Sequence, residues 1–239
     1  MSRQRGFTLI ELAIVLVIIT ILIGGLAVPL SAQIQARRIA ETKKTLEEAR
    51  DALFGYAMTH PANAATGALY LPCPDTDGDG RENRLSDNQC AAYHGWFPWA
   101  DLGAAAQDAW GNRLRYAVIP NFIDKGVGFS ATTPGPSMFD PIKICTTRTC
   151  PAPLVADYGV FVLVSYGPNG WGALNVSGST LAAPTGLDEA ENLDTVNRIY
   201  VSRPPTGADN ANGEFDDLLT WASQSQLVAR VCPTGCSTP

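Results

Sequence analysis

Arg5-Gly6-Phe7-Thr8-Leu9-Ile10-Glu11-Leu12 opens an apolar run that reaches Leu30 with Glu11 as its only charge. About 20 apolar residues are enough for a helix to cross a bilayer, so residues 7–30 have the length of a membrane span. A carboxylate in hydrocarbon costs at least ~2.5 kcal/mol, so Glu11 needs a reason to be there. The run contains no cation. An α-amino group released by cutting before Phe7 would place one at the required depth. Residues 1–6 then become a leader, with Arg3 and Arg5 on the cytoplasmic side as the positive-inside bias requires. A secretory signal peptide is the first alternative, but its apolar core is about 7–15 residues and its cut follows that core. A plain signal anchor has the right length and leaves Glu11 unexplained.

The segment Gly6-Phe7-Thr8-Leu9-Ile10-Glu11-Leu12 resembles the processing signal of type IV prepilins and type II secretion pseudopilins. The resemblance implies that a prepilin peptidase cuts after Gly6 and that Phe7 becomes the N-methylated terminus. Glu11 is then the charge that docks the subunit into a helical filament. It further implies a structural subunit and not an enzyme, anchored once in the bacterial inner membrane with its head in the periplasm. Its partners would be other pilin or pseudopilin subunits and an inner-membrane assembly platform. The fold expected is α+β: a long N-terminal helix packed on a small antiparallel sheet. The divisions expected are leader 1–6, membrane and filament-core helix 7–30, amphipathic continuation 31–60, and β-rich head 61–239.

Charge agrees with that role. The chain carries a formal −6, and from Ala52 onward ten Lys/Arg face eighteen Asp/Glu. Such a head repels phosphate backbones, so no nucleic acid is expected as a partner. Six cysteines fall into local pairs, and an exported chain with an even number reads as disulfide-bonded. Nearest neighbours suggest Cys73–Cys90, Cys145–Cys150 and Cys232–Cys236, among the fifteen pairings that six cysteines allow. Zinc is disfavoured by the spacing and by the distance of His60 and His94 from the pairs.

Helix formers with opposite charges at i, i+3 and i+4 fill residues 37–51, beside an apolar stripe of Ile39, Leu46, Ala49, Leu53, Tyr56 and Ala57. Pro29 should bend this helix and Pro61 should end it. Leu69–Cys73, Leu114–Ile119, Tyr158–Tyr166 and Ile199–Val201 read as strands, and Gly167-Pro168-Asn169-Gly170 as a turn. Residues 126–141 and 172–191 read as loops, and Asp216–Leu227 as a helix capped by its leading acids.

Two acidic stretches suggest calcium, which takes six to eight oxygen ligands. Asp75, Asp77 and Asp79 alternate before Gly80 like the first half of an EF-hand loop, although position twelve is Ser86. Asp108–Tyr116 and Ser165–Gly170 are similar to segments of the major type II pseudopilin, in which an acidic calcium loop leads to a Trp. By that resemblance Asn212, Glu214, Asp216 and Asp217, before Trp221, would be ligands. A solvated turn or a helix cap explains the same acids without an ion. The chain contains no P-loop, no dinucleotide fingerprint, no G-x-S-x-G and no H-E-x-x-H. The alternative function is a tip-located pilin whose head is an adhesin or a cargo-binding module.

Overall fold

The computed structural model describes residues 8–63, 68–131, 133 and 141–232, without the side chains of 24–29 and 63. The chain divides into two compact units, Met1–Ala40 and Glu41–Pro239. Helix α1, Leu9–Thr59, contributes to both and runs through Pro29. It stops ahead of Pro61, which disfavours helical backbone in the residue before it. Among the described residues no helix is long and apolar enough to cross a membrane. The described apolar side chains of the first run, Leu9 to Ile23 and Leu30, are exposed.

In the second unit α1 is followed by β1 (Pro61–Asn63), β2 (Ala68–Leu69), β3 (His94–Trp96), α2 (Trp99–Leu102) and β4 (Arg115–Val118). Then come β5 (Ile142–Cys145), β6 (Ala156–Ser165), α3 (Leu187–Leu193), β7 (Ile199–Val201), β8 (Leu218–Ser223) and α4 (Gln224–Val231). β1 and β2 pair with each other, and the other six strands form one sheet. β8 lies along one edge of β6, whereas β4 and β5 share the opposite edge, against Phe161–Val164 and Ala156–Gly159. The sheet is mixed and not purely antiparallel, because β5 and β7 run parallel.

Residues Val160–Ser165 are fully buried, so β6 is covered on both faces. On one face Leu46, Ala49, Leu53, Phe54 and Ala57 of α1 form a buried stripe at helical spacing, with Phe54 edge-on to Phe161 at 5.8 Å. The other face carries Arg115, opposite Val164, and Arg115 Nη2 donates to the Asp194 carbonyl at 3.4 Å. That contact places the stretch after α3 over this face.

Three expectations need correction. Residues 218–223 are strand and not the start of a helix, because their alternation fits the open edge of β6. The helix begins at Gln224, seven residues after Asp217, and Ser223 caps it: Gln226 N donates to Ser223 Oγ at 3.3 Å and Ser223 N to Gln226 Oε1 at 2.9 Å. The loop expected at 172–191 gives way to α3 from Leu187, and β2 stops at Leu69 instead of continuing to Cys73.

Candidate functional site

At the start of α1, Thr8 N and Thr8 Oγ1 donate to Glu11 Oε2 at 2.8 and 2.7 Å, and Glu11 N donates to Thr8 Oγ1 at 3.4 Å. This is a reciprocal capping box, so Glu11 already has local partners in the uncut chain. Thr20 is handled in the same local way, its hydroxyl donating to the Leu16 and Val17 carbonyls at 2.9 Å. Gly6 and Phe7, the expected cleavage and methylation positions, lie outside the described residues. Along residues 9–23 the apolar side chains stand exposed, with Leu9 at 87% and Leu16 at 63%.

The head holds two acidic groups in which one carboxylate oxygen from each of three residues lies within 4.8 Å of the others. The first is Asp75, Asp77 and Asp79, in the loop closed by the Cys73–Cys90 disulfide. Buried Asp75 is saturated by backbone: Oδ1 accepts from Gly78 N at 2.7 Å and Asp77 N at 3.1 Å, and Oδ2 from Gly80 N at 2.7 Å. Arg84 ties the loop down by donating to the carbonyls of Ile123 and Asn88 at 2.7 and 2.8 Å, and by pairing with Glu82 at 2.9 Å. The carboxylate that would anchor an ion here therefore folds the loop instead, and Asp77 and Asp79 stand in solvent. These residues fit an ion poorly.

The second group is Glu189, Asp216 and Asp217, and its arrangement is different. Glu189 Oε1 accepts from Asn169 Nδ2 at 2.9 Å and from Asp216 N at 3.0 Å. Asp216 Oδ2 accepts from Asn169 N at 3.2 Å, and Asp217 Oδ2 from Asn192 Nδ2 at 2.8 Å. The remaining oxygens, Glu189 Oε2, Asp216 Oδ1 and Asp217 Oδ1, are buried without a hydrogen-bond partner. Glu189 and Asp217 are only 1% and 5% exposed. Each carboxylate is thus held by one oxygen and presents the other bare. Gly167, at φ +59°, lies against Asp216, where a Cβ would collide with its carboxylate and carbonyl.

Bare buried carboxylates resist ionisation. Burial, then the charges of Glu189 and Glu214, push Asp216 up to about 7. Burial pushes Asp217 well above the ordinary carboxylate range, with Glu189 and Asp216 adding to the effect, and burial also raises Glu189. Arg203, paired with Asp188 at 2.8 Å, opposes the rise at Glu189 without outweighing burial. One oxygen of each carboxylate lies close enough to the others for a divalent cation with an affinity for oxygen to be held among them.

Of the acids expected around the second loop, the structure brings Asp216 and Asp217 together and leaves Glu214 outside the group. Asn212 passes its carbonyl to Leu187 N at 3.1 Å. Glu189 was missed because it lies in a stretch that reads as loop. Asp108 is buried and fixes its own turn: it accepts from Ser165 Oγ at 2.7 Å and from the Trp110 and Asn112 N–H at 2.9 and 3.0 Å. Cys145 and Cys150 are disulfide-bonded, and Cys236, with the pairing expected for Cys232, falls outside the described residues.

No curated protein and no solved structure matches the chain. The family model of the prokaryotic N-terminal methylation motif matches residues 1–27. With its glycine, its phenylalanine, its capped Glu11 and the apolar helix behind them, the chain carries the prepilin signal of type IV pilins and pseudopilins.

Proposed function

We propose that the chain is a subunit, minor or specialised, of a type IV pilus or a type II secretion pseudopilus. The observation that carries this reading is the methylation motif at residues 1–27 running into an apolar helix exposed on every side. In this account prepilin peptidase cuts between Gly6 and Phe7, and Phe7 is N-methylated. The span 7–30 holds the subunit in the inner membrane, its head in the periplasm, until an assembly platform draws it into the filament. Apolar contacts among these helices supply most of the cohesion, and Glu11 sets the register through the new amine. Thr8 keeps the carboxylate solvated by hydrogen bonds until that amine arrives. The role is assembly, with no substrate turned over.

The head carries calcium at Glu189, Asp216 and Asp217, where every donor is oxygen and three of the oxygens are otherwise bare.

The test of the main reading is mass analysis of the chain from its native membrane, together with a Glu11→Ala variant. A mature form beginning at methylated Phe7, and a variant that is processed but absent from filaments, are the expected results. A start at Met1, a cut beyond Leu30, or normal incorporation of the variant would refute it.

A tip-located pilin that binds a surface or cargo is the second reading. A cavity of about 160 Å³ favours it, lined by Tyr93, His94, Asn197, Arg198 and Tyr200 beside Val196, which is 92% exposed. Val196→Asp should abolish adhesion or cargo recognition while filaments still form. Unchanged recognition would remove this reading.

A further inference from the structure

Arg115 is a buried cation without an acid. It is 6% exposed, and its Nε has no hydrogen-bond partner. Nη2 reaches the Asp194 carbonyl at 3.4 Å, and among the described residues no carboxylate forms an ion pair with the guanidinium. The Asp194 carboxylate is spent on its own turn, accepting from Thr195 N at 2.7 Å, Val196 N at 3.0 Å and Asn197 Nδ2 at 3.0 Å. Beside Arg115 lie the hydroxyls of Tyr166 and Tyr200, which burial keeps neutral. A buried charge left without a counter-charge is strongly unfavourable.

The same face of the sheet leads from Arg115 to a cavity. Trp96 is opposite Arg115 and His94 opposite Ala117, so these four side chains project to one side. There His94, Ala117, Ile142, Val196, Arg198 and Tyr200 line a space of about 160 Å³. Arg115 adjoins it. Its Nη2 contact is with the residue before the wall formed by 195–198, and its charge acts on both His94 and Tyr200 of the lining. A cavity of about 150 Å³ takes a benzene-sized group, so there is room here for a short branched chain. Ala117, Ile142 and Val196 give such a chain apolar surface to lie on.

We propose that this cavity receives a carboxylate carried on a short apolar stem, with Arg115 as its counter-charge and the stem against Ala117, Ile142 and Val196. The inference rests on the cavity of the second reading above and names the chemistry that it recognises. A guanidinium presents paired N–H donors that match the two oxygens of a carboxylate. A phosphate has no apolar part to set against the aliphatic lining, and an amine would meet Arg115 as a like charge. The carboxylate belongs to a free short-chain acid or to the last residue of a polypeptide, two sources that share this chemistry.

The experiment is NMR of histidine-labelled full-length chain in nonionic detergent, titrated with 3-methylbutanoate, its amide, inorganic phosphate and an acetylated tripeptide ending in valine. The chain has two histidines. His94 lines the cavity, whereas His60 stacks on Tyr56 at the end of α1 and is the internal control. The acid should shift the His94 resonances saturably and leave those of His60 in place. A bound carboxylate offsets the charge of Arg115, one of the causes that lower the His94 pKa, so that pKa should rise. The amide should bind at least about tenfold more weakly than the acid, and so should the acid to Arg115→Met. A tripeptide that binds more tightly than the free acid identifies a chain terminus as the ligand, and the reverse order identifies a free acid. Equal affinity for acid and amide, an equal response to phosphate, or a His94 that no probe moves overturns the inference, and each is read on the parent chain even if Arg115→Met fails to fold. Recognition lost in Val196→Asp while no carboxylate binds overturns this inference alone and leaves the second reading standing.

Discussion

Asp217→Asn separates a carboxylate that binds an ion from one that merely packs. Asp217 is buried, accepts one hydrogen bond from Asn192 at 2.8 Å, and leaves Oδ1 bare. Burial, reinforced by Glu189 and Asp216, raises its pKa well above the ordinary carboxylate value, which favours the protonated acid over the ionised one. Asparagine has the shape of that protonated acid and retains an oxygen for Asn192. The cation-free variant should therefore melt within about 1 kcal/mol of the parent, the size of an ordinary conservative change. With calcium the two proteins part. An ion a hundredfold above its Kd stabilises the folded state by about 2.7 kcal/mol, and the variant forgoes it. For a domain of this size that is roughly 5–10 °C in Tm. The assay is a pair of thermal melts by circular dichroism, each with chelator and with calcium. A large destabilisation of the variant in chelator would show that Asp217 is an ionised structural acid. A calcium shift equal in both proteins would place the ion elsewhere.

Other perturbations test the frame around the site. Leu53 is fully buried between α1 and the sheet, and Leu53→Ala should cost about 2–5 kcal/mol in denaturant unfolding, with the disulfides intact. Gly80 has φ +87° and lies against the Trp99 ring, so Gly80→Ala should destabilise by about 2–4 kcal/mol, measured in the same way. The pKa of His94 is lowered from 6.5 by burial and then by the charge of Arg115. The folded state thus binds fewer protons than the unfolded one. The neutral ring's contribution is present above pH 6.5 and is lost as pH falls through and below it. His94→Gln should flatten that slope in a series of melts across the range, and an unchanged slope would assign it to other groups.

What the linear chain reveals here is local. The prepilin signal lies within seven consecutive residues, and its meaning depends on spacing alone. The end of α1 before Pro61 is a steric property of one peptide bond. The core strand Val160–Ser165 and the turn after it are legible because a run buried on both faces has no alternative composition. Even the capping box of Thr8 and Glu11 was readable in principle, since it needs only a threonine three residues before a glutamate.

The rest was decided by the tertiary structure. Leu218, Leu219, Trp221, Ala222 and Leu227 fit helical spacing as well as strand alternation, and the vacant edge of β6 settles the choice in favour of a strand. That choice turns Asp216 and Asp217 from helix caps into buried acids. Their third companion, Glu189, is 27 residues before Asp216 and reaches it through a hydrogen bond that no pattern of spacing encodes. Asp75 shows the converse, a carboxylate in the right sequence context for a metal whose oxygens are consumed by the backbone of its own loop. Sequence specifies which groups are able to bind an ion. Which oxygens stay bare, and so are free to do it, depends on hydrogen bonds that exist only once distant segments have packed together.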